Sequence, residues 1–198
     1  MYIPQVICAV VCSFGVALAH AQLAPLKELA SQAPATQAVI PQKNLSYIHA
    51  LQLAKTAVAV CAANNQSVAA TVVDRSGAVL AMLRSDNTGP IALAGSERKA
   101  YTAVSFKTET SNIMARTVQA PQLANLPGIL ALAGGVPIRV GSEVIGAIGV
   151  GGAPDGRIDA QCANYAIDKY KPALAGDAGL ESPGGAPGEK TPAVPAAS

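Results

Sequence analysis

The side chains of this chain that could do chemistry are few and far apart. There are two histidines, His20 and His49, and four cysteines, Cys8, Cys12, Cys61 and Cys162. A metal centre of His and Cys ligands needs three or four of them at a recognisable spacing, and a Ser-His-Asp or Cys-His site needs a histidine placed by the fold. Neither pattern is present. His49 lies near the start of an amphipathic stretch, where a lone histidine reads as a packed or surface residue. Cys61 and Cys162 have two readings: a disulfide closing a long loop in an oxidising compartment, or two buried thiols.

The charged residues say little more. Asp74 and Asp86 sit among turn formers, and Asx-turn geometry explains both better than acid–base work does. Glu97, Arg98 and Lys99 cluster early in a helix, where the dipole favours the glutamate and disfavours the two cations. That mismatch leaves two readings, a solvated helix face or a cation that meets an anion or a neighbouring subunit. The last unusual feature is the glycine set Gly146, Gly149, Gly151 and Gly152 in a strand pattern. Glycine costs entropy there, and the cost is understandable where a backbone or a flat ligand comes close. A tight helix-on-sheet or subunit contact is the plainer reading, since no helix follows at phosphate-loop spacing.

The elements that position these residues follow from periodicity. Asn44 is placed to cap a helix over residues 45–64, with Leu45, Ile48, Leu51, Ala54, Val58 and Cys61 on one face. Residues 67–74 and 78–84 form a hairpin through the Asp-Arg-Ser-Gly turn at 74–77. A helix over 91–106 and a shorter one over 112–119, capped by Ser111, come next. Residues 120–129 form a Pro-punctuated connection. A second hairpin pairs 136–140 with 144–150, both of whose faces are apolar, so it belongs at the centre of a sheet. Val144, Ile148 and Val150 point to one face, Ile145 and Ala147 to the other. Asp159 is placed to cap a last helix running to about Tyr170. An order of helix, hairpin, two helices, hairpin, helix lacks βαβ crossovers and predicts an antiparallel sheet backed by helices.

Residues 1–21 carry an apolar run and an Ala-His-Ala end, as a signal peptide does, though without a basic start. Cleavage there would remove Cys8, Cys12 and His20 and leave no stable membrane span. Residues 22–42 read as a flexible arm, 43–171 as the folded domain, and 172–198 as a disordered tail rich in Pro, Gly and Ala. Of the 198 residues, 51% are apolar and only 13% charged, which points to burial of surface in a homo-oligomer. The net charge of +2, with no basic run, argues against nucleic acid as a partner.

In sequence order, VVDRSGAVLAMLR, SERKAYTAVSF with Thr110 and Ser111, APQLANLPGILALAGGVPI, and VIGAIGVGGAP with Asp159 and Cys162 beyond it, resemble the GlcG/HbpS family of haem-binding or haem-degrading-domain proteins. The likeness spans about residues 45–166. It implies a profilin-like α/β fold, a five-stranded antiparallel sheet with helices packed on it, assembled as a homo-oligomer. The exported branch is the nearest; its members bind haem and iron outside the membrane and modulate a sensor kinase under redox stress. In that branch a threonine is implicated at the haem iron, which makes Thr88, Thr102 and Thr110 candidates here. Arg84, Arg98 and Lys99 are candidates for the propionates, and Tyr101, Ile91 and Leu93 for packing on the ring. The family's acidic iron-binding motif near the end of the first helix has no counterpart in AVAVCAANNQ. The resemblance therefore implies an exported, non-catalytic haem-binding protein for sequestration or redox sensing. An enzyme or accessory protein of small hydroxy-acid metabolism and a purely structural oligomeric module are the alternatives.

Overall fold

The computed structural model describes residues 42–176. The expected signal peptide, almost all of the arm and most of the tail lie outside them. Among the described residues four α-helices, α1 (Tyr47–Ala63), α2 (Ile91–Phe106), α3 (Thr110–Gln119) and α4 (Gly156–Gly176), surround one antiparallel sheet in the order β2-β1-β4-β3. Its strands are β1 (Ala69–Asp74), β2 (Val79–Arg84), β3 (Gly135–Val140) and β4 (Glu143–Gly151). The sheet among the described residues is thus four-stranded, not five-stranded as the resemblance implied.

Three layers result. On one face, α1 and α4 bury Leu53, Ala54 and Ala57 with Ala163 and Ala166 against Val72, Ile148 and Val150. On the other, α2 lies on Val73, Val144 and Ala147 through Ala100, Ala103 and Val104. β1 and β4 are the central strands and are covered on both sides, as their unbroken apolar runs require. Val144 shares a face with Ala147, and Ile145 with Ile148, the reverse of simple alternation. A β-bulge explains it: Ile138 pairs with Gly146 but Arg139 pairs with Val144, so Ile145 is the extra residue and the alternation restarts there.

Gly149 and Gly151 of β4 serve the helix-on-sheet contact, while Gly146 lies against the Val73 carbonyl of β1. Gly149 pairs with Gly135 on one side and Thr71 on the other, and α2 lies directly over that row. A Cβ on Gly149 would fall on the Ser96 carbonyl and 2.5 Å from the Ala100 amide nitrogen. The small row lets Ser96 Oγ reach Thr71 Oγ1 at 2.7 Å. No flat ligand can occupy a face that α2 already covers. Gly149→Ala has to lift the helix, and we expect a loss of about 3 kcal/mol, read as a lower urea midpoint at unchanged slope.

Several caps differ from the periodicity reading. Ser46, not Asn44, caps α1 and accepts from the His49 amide, while Leu45 is buried just before the helix. α3 begins at Thr110 with Glu109 at its N-cap, so Ser111 is already inside it. Asp155, not Asp159, caps α4 by accepting from the Arg157 amide at 2.8 Å. α4 also continues through Pro172 to Gly176, where Leu174 is buried, so the tail boundary moves five residues later. Asp74 is the Asx turn expected of it, accepting from the Ser76 and Ala78 amides and the Ser76 hydroxyl.

Cys61 and Cys162 are disulfide-bonded, joining the end of α1 to α4. That decides between the two readings of the pair.

Candidate functional site

A recess of about 620 Å³ opens where the first half of α2, the end of β4 and the start of α4 converge, with Leu130, Leu132 and Ala133 of the loop before β3 as a third wall. Its volume is in the range of small-molecule sites, about 300–1,000 Å³. Small residues make this opening. Ala94 and Gly95 face it from α2, Gly151, Gly152 and Ala153 from the strand end, and Gly156 from the first turn of α4. Gly95 has nothing within 4 Å of the place a Cβ would take. Larger apolar groups frame the mouth: Ile91 is 80% exposed, Leu132 51% and Met114 41%. An apolar cleft with so much exposed rim suits a ligand that contributes apolar surface of its own.

Three cations and two carboxylates share the cleft. Lys99 and Asp159 form its floor as a buried pair, Nζ to Oδ2 at 2.7 Å, with side-chain exposures of 7% and 2%. Lys99 also donates to the Val150 carbonyl at 3.0 Å, and Asp159 accepts from the Ala153 amide at 3.1 Å. Burial pushes the Asp159 carboxyl above the usual aspartate range; the Lys99 hydrogen bond and charge, and then the Ala153 amide, pull it partly back. The pair ties α2, the end of β4 and α4 into one floor. Arg157 stands at the rim, its Nε and Nη2 on Asp155 Oδ2 at 2.9 and 2.6 Å, and its side chain 84% exposed. Arg98 donates from Nη2 to the Ile129 carbonyl at 2.7 Å, which fixes the guanidinium beside the loop wall. Both arginines keep N–H groups outside these bonds, suited to a carboxylate.

The residues singled out from the sequence fall in different places. Arg98 and Lys99 line the cleft together, in the second and third turns of α2 rather than at its start. The cation-meets-anion reading holds for Lys99, whose anion is Asp159. Arg84 is exposed on edge strand β2 and does not line the cleft. Tyr101 turns away from it, its ring lying against Gly77 and Gly128. The three threonines are buried and lie outside the cleft lining. Thr88 Oγ1 bonds to Ser85 Oγ and the Val68 carbonyl. Thr102 Oγ1 donates to the Arg98 carbonyl and accepts from the Leu130 amide. Thr110 Oγ1 accepts from the Gly135 amide at 2.9 Å. Each hydroxyl joins backbone segments.

Sequence reasoning missed Arg157, Asp155, Met114 and the pairing role of Asp159. Only Asp159 had a legible signal. With Cys162, Ala163 and Ala166 it occupies i, i+3, i+4 and i+7, the buried stripe of α4, and a carboxylate on such a stripe implies a buried cation. His49 lies in a different recess, between the start of α1 and the end of α4, with Nδ1 2.8 Å from Ser46 Oγ. Among the described residues no group of three or more His, Cys, Asp or Glu is arranged to hold a metal ion, and no helix is long and apolar enough to cross a membrane.

Comparison with known proteins agrees with this architecture. The family model described as haem degrading protein HbpS-like matches residues 45–168. Protein GlcG of Escherichia coli K12 is 39% identical over 94 residues, 44% of this chain and 66% of GlcG, so the chain spans just under two thirds of that relative's length. A crystal structure of a double mutant of Streptomyces reticuli HbpS is 37% identical, with a TM-score of 0.65 over 66% of this chain and 90% of that one. A PduOC–haem complex, 23% identical with a TM-score of 0.58 over 64% of this chain and 94% of that one, shares the fold.

Proposed function

The chain belongs to the HbpS-like family of haem-degrading proteins, and from that premise we propose that it is an exported haem-binding protein whose cleft takes the macrocycle. The observation that carries this reading is the make-up of the cleft: apolar walls, a stretch of small residues, and two guanidiniums at its edge. Apolar surface would bury the ring, and Arg98 and Arg157 would hold the propionates. Lys99 is spent on Asp159, so it sets the floor instead of binding the ligand. Haem, when bound, supplies an iron able to take gases, peroxide or electrons, while the chain's own residues bind and orient it.

Sequestration or redox sensing without turnover is the role proposed, because each acid in the cleft is already engaged, Asp155 by Arg157 and Asp159 by Lys99. The signal-like start and the disulfide support a periplasmic or secreted location. Tyr47, Ile48 and Leu51, exposed together on α1, support assembly into a homo-oligomer. A sensor kinase as listener rests on the resemblance alone.

Titration of the protein with haemin tests the reading. A saturable shift of the Soret band is expected, and Gly95→Leu should abolish it, because that side chain has free space only into the cleft. Arg98→Ala and Arg157→Ala should each weaken binding by about tenfold, near 1.4 kcal/mol. Spectra that stay those of free haemin, or binding indifferent to Gly95→Leu, would refute the site. The family's description supports a second reading, haem degradation. Progressive bleaching of the bound Soret band under a reductant and oxygen, with release of iron to a chelator, would establish it over storage.

A further inference from the structure

If the cleft takes haem, something must face the iron, and the cleft narrows the choice. This inference rests on the haem reading above and asks which atom of this chain completes it. Of the described residues lining the cleft, most are Ala, Gly, Leu, Ile and Pro, which offer no ligating side-chain atom. Lys99 already donates to Asp159 and the Val150 carbonyl, and Asp159 accepts from Lys99 and the Ala153 amide. Asp155 takes three N–H groups from Arg157. Arginine carries no lone pair to give. One side chain with an uncommitted donor atom remains, Met114 on α3, 41% exposed and lining the cleft together with Leu130 and Leu132.

We propose that the Met114 thioether sulfur is the axial ligand to haem iron in this cleft. Three observations favour it over the hydroxyls. Thr88, Thr102 and Thr110 are buried outside the cleft, and each would have to release a bond to backbone before its oxygen could turn to an iron. Met114 sacrifices nothing, because its side chain is flexible and its sulfur has no partner to lose. A thioether is also a soft donor that favours ferrous over ferric iron and raises the reduction potential of the haem it holds. A protein that reports on redox state through a Met-ligated haem would therefore stay ferrous until its surroundings became comparatively oxidising.

The experiment compares the haemin-loaded full chain with its Met114→Leu, Met114→His, Met82→Leu and His49→Ala variants by absorption and redox titration. The loaded wild type should show the near-infrared sulfur-to-iron charge-transfer band. Met114→Leu should lose that band, shift the Soret maximum and bind ferrous haem about tenfold more weakly, with a lower midpoint potential. Met114→His should instead give the spectrum of a nitrogen-ligated haem, which shows that the position and not merely the fold is at stake. Met82→Leu, on β2 and away from the cleft, should change nothing. If haemin binds but Met114→Leu leaves the spectrum intact, or His49→Ala or a threonine variant alters it instead, the ligand assignment is overturned and the haem reading stands. If haemin does not bind saturably to the wild type, both fall.

Discussion

Replacing Lys99 with methionine is expected to cost the fold about 3–5 kcal/mol, a large part of the 5–15 kcal/mol typical of a domain. The substitution keeps most of the side chain's volume and removes only the charge and its hydrogen bonds. It leaves the Asp159 carboxylate, 2% exposed, with the Ala153 amide as its remaining partner and the Val150 carbonyl without its donor. Urea unfolding at pH 7 measures the loss as a fall in midpoint at unchanged slope. The double variant Lys99→Met/Asp159→Leu should recover more than half of it, since a buried pair replaced by apolar groups of similar size is often neutral. The pH dependence has a definite sign. Burial raises the Asp159 carboxyl, and Lys99 is the larger of the influences that pull it back. Without Lys99 the carboxyl rises further. A carboxyl whose folded value exceeds its unfolded one, about 3.9, stabilises the fold below the unfolded value and loses that contribution as pH rises through the folded one. The deficit of Lys99→Met should therefore shrink towards pH 4 and be largest at neutral pH. A loss below about 1 kcal/mol at pH 7, or one that grows in acid, would show that the pair does not hold the floor together.

The same residue shows how far the sequence could be read. The types and order of the elements were legible because β-branched runs, 3.6-residue periodicity and Asp-Gly turn chemistry are local signals. The centrality of β4 was legible for the same reason: a strand apolar on both faces has to be covered twice. The facing of Val144 and Ile145 was not, because a bulge is settled by the partner strand, whose Arg139 pairs with Val144 across the extra residue. The glycines announced close approach but not by what; for Gly149 the Ser96 and Ala100 backbone supplies the answer, and it sits 53 and 49 residues away in the chain. The cleft was least legible, because residues 91–99, 114, 130–133 and 151–159 converge only in the folded chain. Arg98 and Lys99 drew notice as misplaced charge, yet their roles differ. One is fixed at the edge by a carbonyl, the other is neutralised by an aspartate 60 positions later.

Loss of the disulfide should cost about as much as loss of the ion pair, and by another route. Cys61 and Cys162 are 101 residues apart, so the bond closes a loop that holds all four strands, α2 and α3. In the chain-entropy account a loop of about 100 residues contributes about 4.7 kcal/mol, nearly all through the unfolded state. The native contacts need not change, because both sulfurs lie in the core between α1 and α4 among Ala57, Ala163 and Ala166. The Cys61→Ala/Cys162→Ala chain should therefore keep its circular dichroism and its haemin titration while its unfolding midpoint drops by the equivalent of about 4–5 kcal/mol. Its urea slope should rise slightly, since an uncrosslinked chain exposes more surface on unfolding. Both cysteines are almost fully buried, so dithiothreitol should reduce the wild-type bond only as fast as the domain opens, and a cleft ligand that binds the folded state should slow that reduction. If the double variant matches the oxidised wild type within about 1 kcal/mol, the bond is not what stabilises this core, and the disulfide no longer supports an exported location.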